Sequence, residues 1–196
     1  MTKVVGLTGG IGSGKTTIAN FFKSQGVPLY IADDEAKLIL FTKEVAKEVE
    51  NVFGGAVMTD GLPDRAKLAA VVFNEPERLK ALNSIIHPRL RQHFKEWLAK
   101  HTDALFIIRE AAILFESGAY KDCDKIILVT APEELRISRV MQRDATTREK
   151  VIARMKTQWS DEEKAALSDF IINNIDIEVA KIEADKILKI LNKIEN

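Results

Sequence analysis

Eight residues near the amino terminus, Gly9-Gly10-Ile11-Gly12-Ser13-Gly14-Lys15-Thr16, follow the pattern G-x-x-x-x-G-K-[ST]. Glycines at this spacing let backbone N–H groups converge on phosphate oxygens with no side chain in the way. Lys15 adds a positive charge for β- and γ-phosphates, and the Thr16 hydroxyl is a ligand for Mg²⁺. An apolar run containing Val4, Val5 and Leu7 precedes the pattern, and Ile18, Phe21 and Phe22 share one helical face after it. That helix should stop at Gly26, with Pro28 just beyond, and its positive end should point at the phosphates. Gly10, Ile11, Gly12, Ser13, Gly14, Lys15 and Thr16, with the neighbouring Thr17, are therefore the expected binding set for a nucleoside triphosphate.

Other residues narrow the class. Guanine recognition would need Asn-Lys-x-Asp after a late strand; the similar string Asn192-Lys193-Ile194-Glu195 ends the terminal helix and lacks the Asp. Glu110, at the end of a predicted strand, either holds Mg²⁺ through water or is a solvated strand end. Ala32-Asp33-Asp34 follows the strand Val27 to Ile31, at the carboxyl end where ligands lie in open α/β sheets. A carboxylate there either accepts the proton of an attacking hydroxyl or caps the next helix. Between Leu135 and Lys156 stand seven basic residues, Arg136, Arg139, Arg143, Arg148, Lys150, Arg154 and Lys156, against Asp144 and Glu149. This stretch reads as a solvated face or, more sharply, as a lid that neutralises charge on a transferring phosphoryl group.

These residues need a scaffold. Five strands are predicted, Lys3 to Thr8, Val27 to Ile31, Leu105 to Arg109, Lys125 to Thr130 and Asp169 to Asn173, apolar enough to be covered on both faces. Helical patterning between them predicts an α/β fold with a five-stranded parallel sheet flanked by helices. Capping boxes are expected at Thr130, Thr146 and Ser160, with Asn74 as a further cap. Between the second and third strands, Val45, Val49, Val52 and Phe53 form one stripe, and Leu79, Leu82, Ile86, Leu90, Phe94 and Trp97 another. A crossover needs only about a dozen residues, so this region is an inserted helical domain. The expected division is a nucleotide core of 1–33, 105–135 and 157–196, an insert of 34–104 and a lid of 136–156. A last stripe of Val179, Ile182, Ile187, Ile190, Leu191 and Ile194 should pack on the sheet.

The chain has 196 residues, 46% hydrophobic and 30% charged, with 29 Lys and Arg balancing 29 Asp and Glu. That balance argues against a nucleic-acid partner. With no membrane-length apolar run, no signal-like amino terminus and the single Cys123, a cytoplasmic protein is expected.

Over nearly the whole chain the sequence resembles the dephospho-coenzyme A kinase family. Leu7-Thr8-Gly9-Gly10-Ile11-Gly12-Ser13-Gly14-Lys15 is similar to its loop, and Ala32-Asp33 with Ala36 to its segment bearing the proposed base. Asp60-Gly61, Arg65, Leu68, Phe73, Leu79 and His87-Pro88 resemble its acceptor region, Ile113-Leu114-Phe115-Glu116 a hydrophobic signature ending in Glu. Met141-Gln142-Arg143-Asp144 with Thr147-Arg148-Glu149 resembles its lid, and Asp169 to Asn174 its late strand with an Asn near adenine. The resemblance implies transfer of the ATP γ-phosphoryl to the ribose 3′-hydroxyl of dephospho-CoA, with Mg²⁺. It implies Asp33 as base, Lys15 and Thr16 on phosphate and metal, Asn174 on the nucleotide, and Arg139, Arg143 and Arg148 clamping charge. Arg65, His87 and Glu116 would line the acceptor pocket, although a His before Pro at a helix bend is equally a structural feature. Four positions depart from the pattern: Lys37 for Arg or His, Glu110 for Asp, Ala112 for Pro, and Asp176 for Gly. The rival readings are another small-molecule kinase of this fold and a non-catalytic ATP-binding regulator.

Overall fold

The computed structural model describes residues 1–72 and 75–193. Phe73, Asn74, Ile194 and Glu195, named above, lie outside the described residues. The first part of the chain contains β1 (Lys3–Thr8), α1 (Lys15–Ser24), β2 (Leu29–Ile31), α2 (Ala32–Leu40), α3 (Lys43–Phe53), β3 (Met58–Thr59), β4 (Leu62–Pro63), α4 (Arg65–Val72) and α5 (Pro76–Leu98). The rest contains β5 (Phe106–Glu110), β6 (Lys125–Thr130), α6 (Glu133–Asp144), α7 (Arg148–Met155), α8 (Asp161–Ala165), β7 (Phe170–Asn173) and α9 (Ile177–Leu191). Two compact units result, Met1–Ile31 with His101–Asn196, and Ala32–Lys100. The division falls before Ala32 and not after Asp33, because α2 starts at Ala32 and carries Asp33 in its first turn. Helices α6 and α7, which span most of the 136–156 stretch, fall within the first unit.

The first unit is an α/β fold around a parallel sheet of order β2-β5-β1-β6-β7. Its central strand faces β5 on one side (Val5 opposite Ile108) and β6 on the other (Leu7 opposite Ile127). The chain visits β2 and β5 on one side of β1 before crossing to β6, so the carboxyl end of β1 is the topological switch point where such sheets bind ligands. Val5, Leu7, Ile107, Ile108, Ile127, Leu128 and Val129 are all buried, the reason these runs carry no polar alternation. The second strand is shorter than expected: the Val27 N–H bonds Phe22 O at the end of α1, and Pro28 has no N–H to give the ladder.

Helix α9 buries only part of the predicted stripe, Ile187 and Leu191, and adds residues the stripe left out. Ala180, Ala184, Ile187, Leu188 and Leu191 are buried, whereas Val179, Ile182 and Ile190 are exposed. Two alanines set the close approach to the core, and a pattern read from large apolar residues alone passes over them. Of the three expected capping boxes, the one at Ser160 forms: Ser160 accepts from Glu163 N–H at 3.2 Å while Glu163 accepts from Ser160 N–H at 2.8 Å. At the other two, Pro132 and Thr147 occupy the cap positions without a side-chain bond. Asp176 caps α9, accepting from Glu178 N–H at 2.8 Å and Val179 N–H at 3.1 Å, a role the usual Gly could not fill.

The second unit buries Val45, Ala46, Val49 and Phe53 of α3 with Leu68, Ile85 and Ile86. Val52 and Leu79, placed on its stripes from the sequence, are exposed. Pro88 lies inside α5; beside it the Arg89 guanidinium donates to Ile85 O at 2.9 Å and pairs with Glu44 and Glu48 of α3, tying the two helices. Asp60 and Gly61, both with positive φ, turn the β3–β4 hairpin. Among the described residues, no helix is long and apolar enough to cross a membrane.

Candidate active site

The phosphate loop fills the gap between β1 and α1. Gly12 (φ 80°) and Gly14 (φ 84°) sit in the left-handed region, and Ser13 N–H bonds back to Gly10 O at 3.0 Å, winding the backbone into a cradle. A Cβ on Gly12 would stand 2.4 Å from Arg136 O, and one on Gly14 would stand 2.1 Å from Asn174 Nδ2, so both positions are closed to side chains. No acidic residue occupies the first turn of α1, which leaves its positive end uncancelled beside Lys15, Thr16 and Thr17. Together these features fit a polyphosphate.

Glu110 is 2% exposed and lies 3.5 Å from the Lys15 ammonium. It is therefore not a solvated strand end but a carboxylate held within the sheet against the loop lysine. The exposed Thr16 hydroxyl and this carboxylate are hard oxygen donors of the kind Mg²⁺ takes. Among the described residues, no group of three or more His, Cys, Asp or Glu gathers around a metal position. A cation here would then share its coordination with phosphate oxygens and water, as Mg²⁺ commonly does.

Asn174, expected near adenine, is buried and donates its Nδ2 to Ser13 O at 2.7 Å. The same residue takes Thr130 O through its own N–H at 2.7 Å, so the end of β7 braces the loop. Arg139 does not reach into open solvent; it donates to Asn174 O at 2.9 Å and Ile175 O at 3.3 Å. Arg136, counted with the lid charges, is buried: its Nε donates to Ile11 O at 3.0 Å and its Nη1 to Asp161 at 2.8 Å, and Asp161 also accepts from the Thr130 hydroxyl. Nothing in the residue pattern set Arg136 apart from its six basic neighbours except its place beside Ile137 and Val140 on the buried face of α6.

Within the first unit, the remaining predicted residues engage partners outside the loop. Arg143 and Arg154 share Asp144, whose carboxyl is held down at about 2, chiefly by the bond from Arg143. Arg148 makes two bonds to Glu134, at 2.7 and 2.6 Å. Glu116 accepts from Trp159 N–H at 2.9 Å and pairs with fully buried Lys164 at 3.1 Å, so within the first unit it organises the α8 region. In the second unit, Asp33 is exposed and makes no hydrogen bond or ion pair with the described residues, whereas Asp34 is taken by Lys37 at 2.6 Å. Neither precedes the helix as a cap. Arg65 is exposed at the start of α4, and His87 is half-buried in α5, its imidazole pKa lowered first by burial and then by Arg91.

A phosphate loop after the central strand of a parallel sheet, backed by a buried acid and followed by a helical insert, defines a P-loop kinase. A family model, CoaE: dephospho-CoA kinase, matches residues 3–179. A dephospho-CoA kinase of Bacteroides fragilis is 41% identical over 172 residues, covering 87% of this chain and 83% of that one. One of Mesorhizobium japonicum is 42% identical over 188 residues and covers 94% of both chains. A crystal structure from Thermus thermophilus superposes with a TM-score of 0.89 at 35% identity, over 96% of each chain. The chain belongs to the dephospho-CoA kinase family.

Proposed function

We propose that this enzyme transfers the γ-phosphoryl group of ATP to the ribose 3′-hydroxyl of dephospho-CoA, giving coenzyme A and ADP. The observation that carries the reading is the glycine cradle at the carboxyl end of β1, with Lys15 set against buried Glu110, in a chain of this family. Phosphoryl transfer asks little covalent chemistry of a protein, so positioning and charge do the catalysis. Loop N–H groups, Lys15 and the end of α1 hold the triphosphate in line. Thr16 and, through water, Glu110 would hold Mg²⁺, which would supply neutralising charge to the phosphates.

Asp33 is the proposed base. It follows β2 by two residues, and the last residue of that strand, Ile31, stands opposite Glu110 in the sheet. Its carboxylate is exposed and unengaged by the described residues, as a proton acceptor for an incoming hydroxyl has to be. Arg143 and Arg148 are proposed to exchange their acidic partners for phosphate. The Arg148–Glu134 pair is largely exposed, and such a pair holds by only about 0–1 kcal/mol, so releasing it costs little; Arg143 gives up a stronger partner in the less exposed Asp144, whose carboxyl it holds down. Arg139 is already committed to carbonyls beside Asn174 and is proposed to fix the nucleotide side of the site. Arg65 and His87 are proposed to receive the acceptor, Arg65 through charge and His87 as a neutral imidazole.

An acceptor panel tests this reading. Coupled detection of ADP with dephospho-CoA, nucleosides, nucleotides and shikimate should show turnover with dephospho-CoA far above the rest. Preferential turnover with another acceptor would move the chain to a different substrate.

A further inference from the structure

One loop residue is gripped from outside the loop on every side. The Ile11 carbonyl accepts from Arg136 Nε at 3.0 Å, and the Ile11 N–H donates to Gln158 Oε1 at 2.9 Å. Its side chain packs against Ile137, Val140 and Val151, together with Ile152 and Met155, the buried faces of α6 and α7. Gln158 stands just past α7, and its Nε2 donates to Ala112 O at 3.3 Å. Ala112 is two residues beyond Glu110; the residue between them, Ala111, still bonds Leu7 O in the sheet at 3.1 Å.

From this geometry we infer that Gln158 is a positioning residue for phosphoryl transfer. Its primary amide joins the phosphate loop to the segment carrying Glu110 and links both to the end of the basic α6–α7 region. The chemistry requires an amide: one planar group must accept from an N–H and donate to a carbonyl at once. A structural tether for the α7–α8 connection is already provided elsewhere. Next to Gln158, Trp159 gives its N–H to Glu116 and stacks its ring on Phe115 at a 5.8 Å centroid distance. Removing the Gln158 amide therefore leaves the connection anchored and loosens the loop. Displacement of a phosphate-binding loop by about 1 Å is enough to cost on the order of 10²-fold in rate.

The inference rests on the reading of this site as an ATP-dependent kinase, and its test keeps the two separable. Gln158→Met preserves length and removes both bonds; Gln158→Glu keeps the acceptor for Ile11 and removes the donor for Ala112. Expected are faster hydrogen exchange in the peptide containing Ile11 and weaker ATP binding by Gln158→Met. Its kcat should fall roughly ten- to a hundred-fold, with Gln158→Glu between it and wild type, at melting temperatures close to wild type. Wild-type exchange, ATP affinity and kcat in Gln158→Met would overturn the inference, as would a lowered melting temperature as its only change. If Gln158→Met does not fold, the same criteria apply to Gln158→Glu. A wild-type enzyme inert toward every acceptor would fail the kinase reading and with it the transfer role, whereas exchange and ATP affinity would still decide whether Gln158 positions the loop.

Discussion

Lys164 is wholly buried, and its ammonium meets Glu116 at 3.1 Å. Lys164→Met keeps most of the volume and removes the charge, leaving the Glu116 carboxylate 15% exposed with Trp159 N–H as its remaining donor. Breaking a buried pair by deleting one partner costs about 3–5 kcal/mol, because the other charge stays desolvated. The Trp159 bond and the partial exposure place this case at the lower end, about 3 kcal/mol. For a chain of this size that is a fall in Tm of roughly 6–12 °C. Glu116→Gln in the Lys164→Met background removes the stranded charge, and the double variant should return to within about 1.5 kcal/mol of wild type. Thermal melts and urea titrations read the stability, and acceptor kinetics on the double variant read the role of Glu116. A purely organising Glu116 leaves KM for the acceptor unchanged; a Glu116 that touches substrate gives recovered stability with a raised KM. A loss below about 1 kcal/mol in Lys164→Met, or a double variant no better than the single, would refute the reasoning.

Three further outcomes are expected. Gly12→Ala forces a side chain into a left-handed conformation, about 1–2 kcal/mol, and against the Arg136 carbonyl at 2.4 Å, so calorimetry should find ATP binding at least about tenfold weaker. Asp33→Asn should leave ATP affinity nearly intact and lower kcat by roughly 10²-fold or more; unchanged turnover would remove Asp33 from the base role. Asp144, held at about 2 against an ordinary 3.8, contributes stability that is present above the ordinary value and lost as pH falls from about 4 toward 2. Melts of Asp144→Asn should accordingly show a flatter acid limb than wild type across that window.

Continuous apolar runs made the sheet legible: Lys3 to Thr8 and Lys125 to Thr130 are strands from end to end, and the glycine spacing located the loop. The β3–β4 hairpin was missed although Asp60-Gly61 is a strong turn pair, because strands of two residues carry no periodicity. Helix faces failed where alanine carries the packing, as in α9, or where a charge is buried, as with Arg136 and Lys164. Such residues look like solvated lysine and arginine until the partner carboxylate, Asp161 or Glu116, is brought beside them by the fold. Gln158 had no signal at all: a single amide 147 positions from its partner Ile11 leaves no mark on local pattern.

The most direct measurement of the central claim is ADP release with ATP, Mg²⁺ and dephospho-CoA, with mass spectrometry of the acceptor product. ADP should form only with dephospho-CoA present, in equal amount with a product carrying one added phosphoryl group on the ribose 3′-oxygen. Tight ATP binding with no phosphorylated dephospho-CoA would contradict that claim.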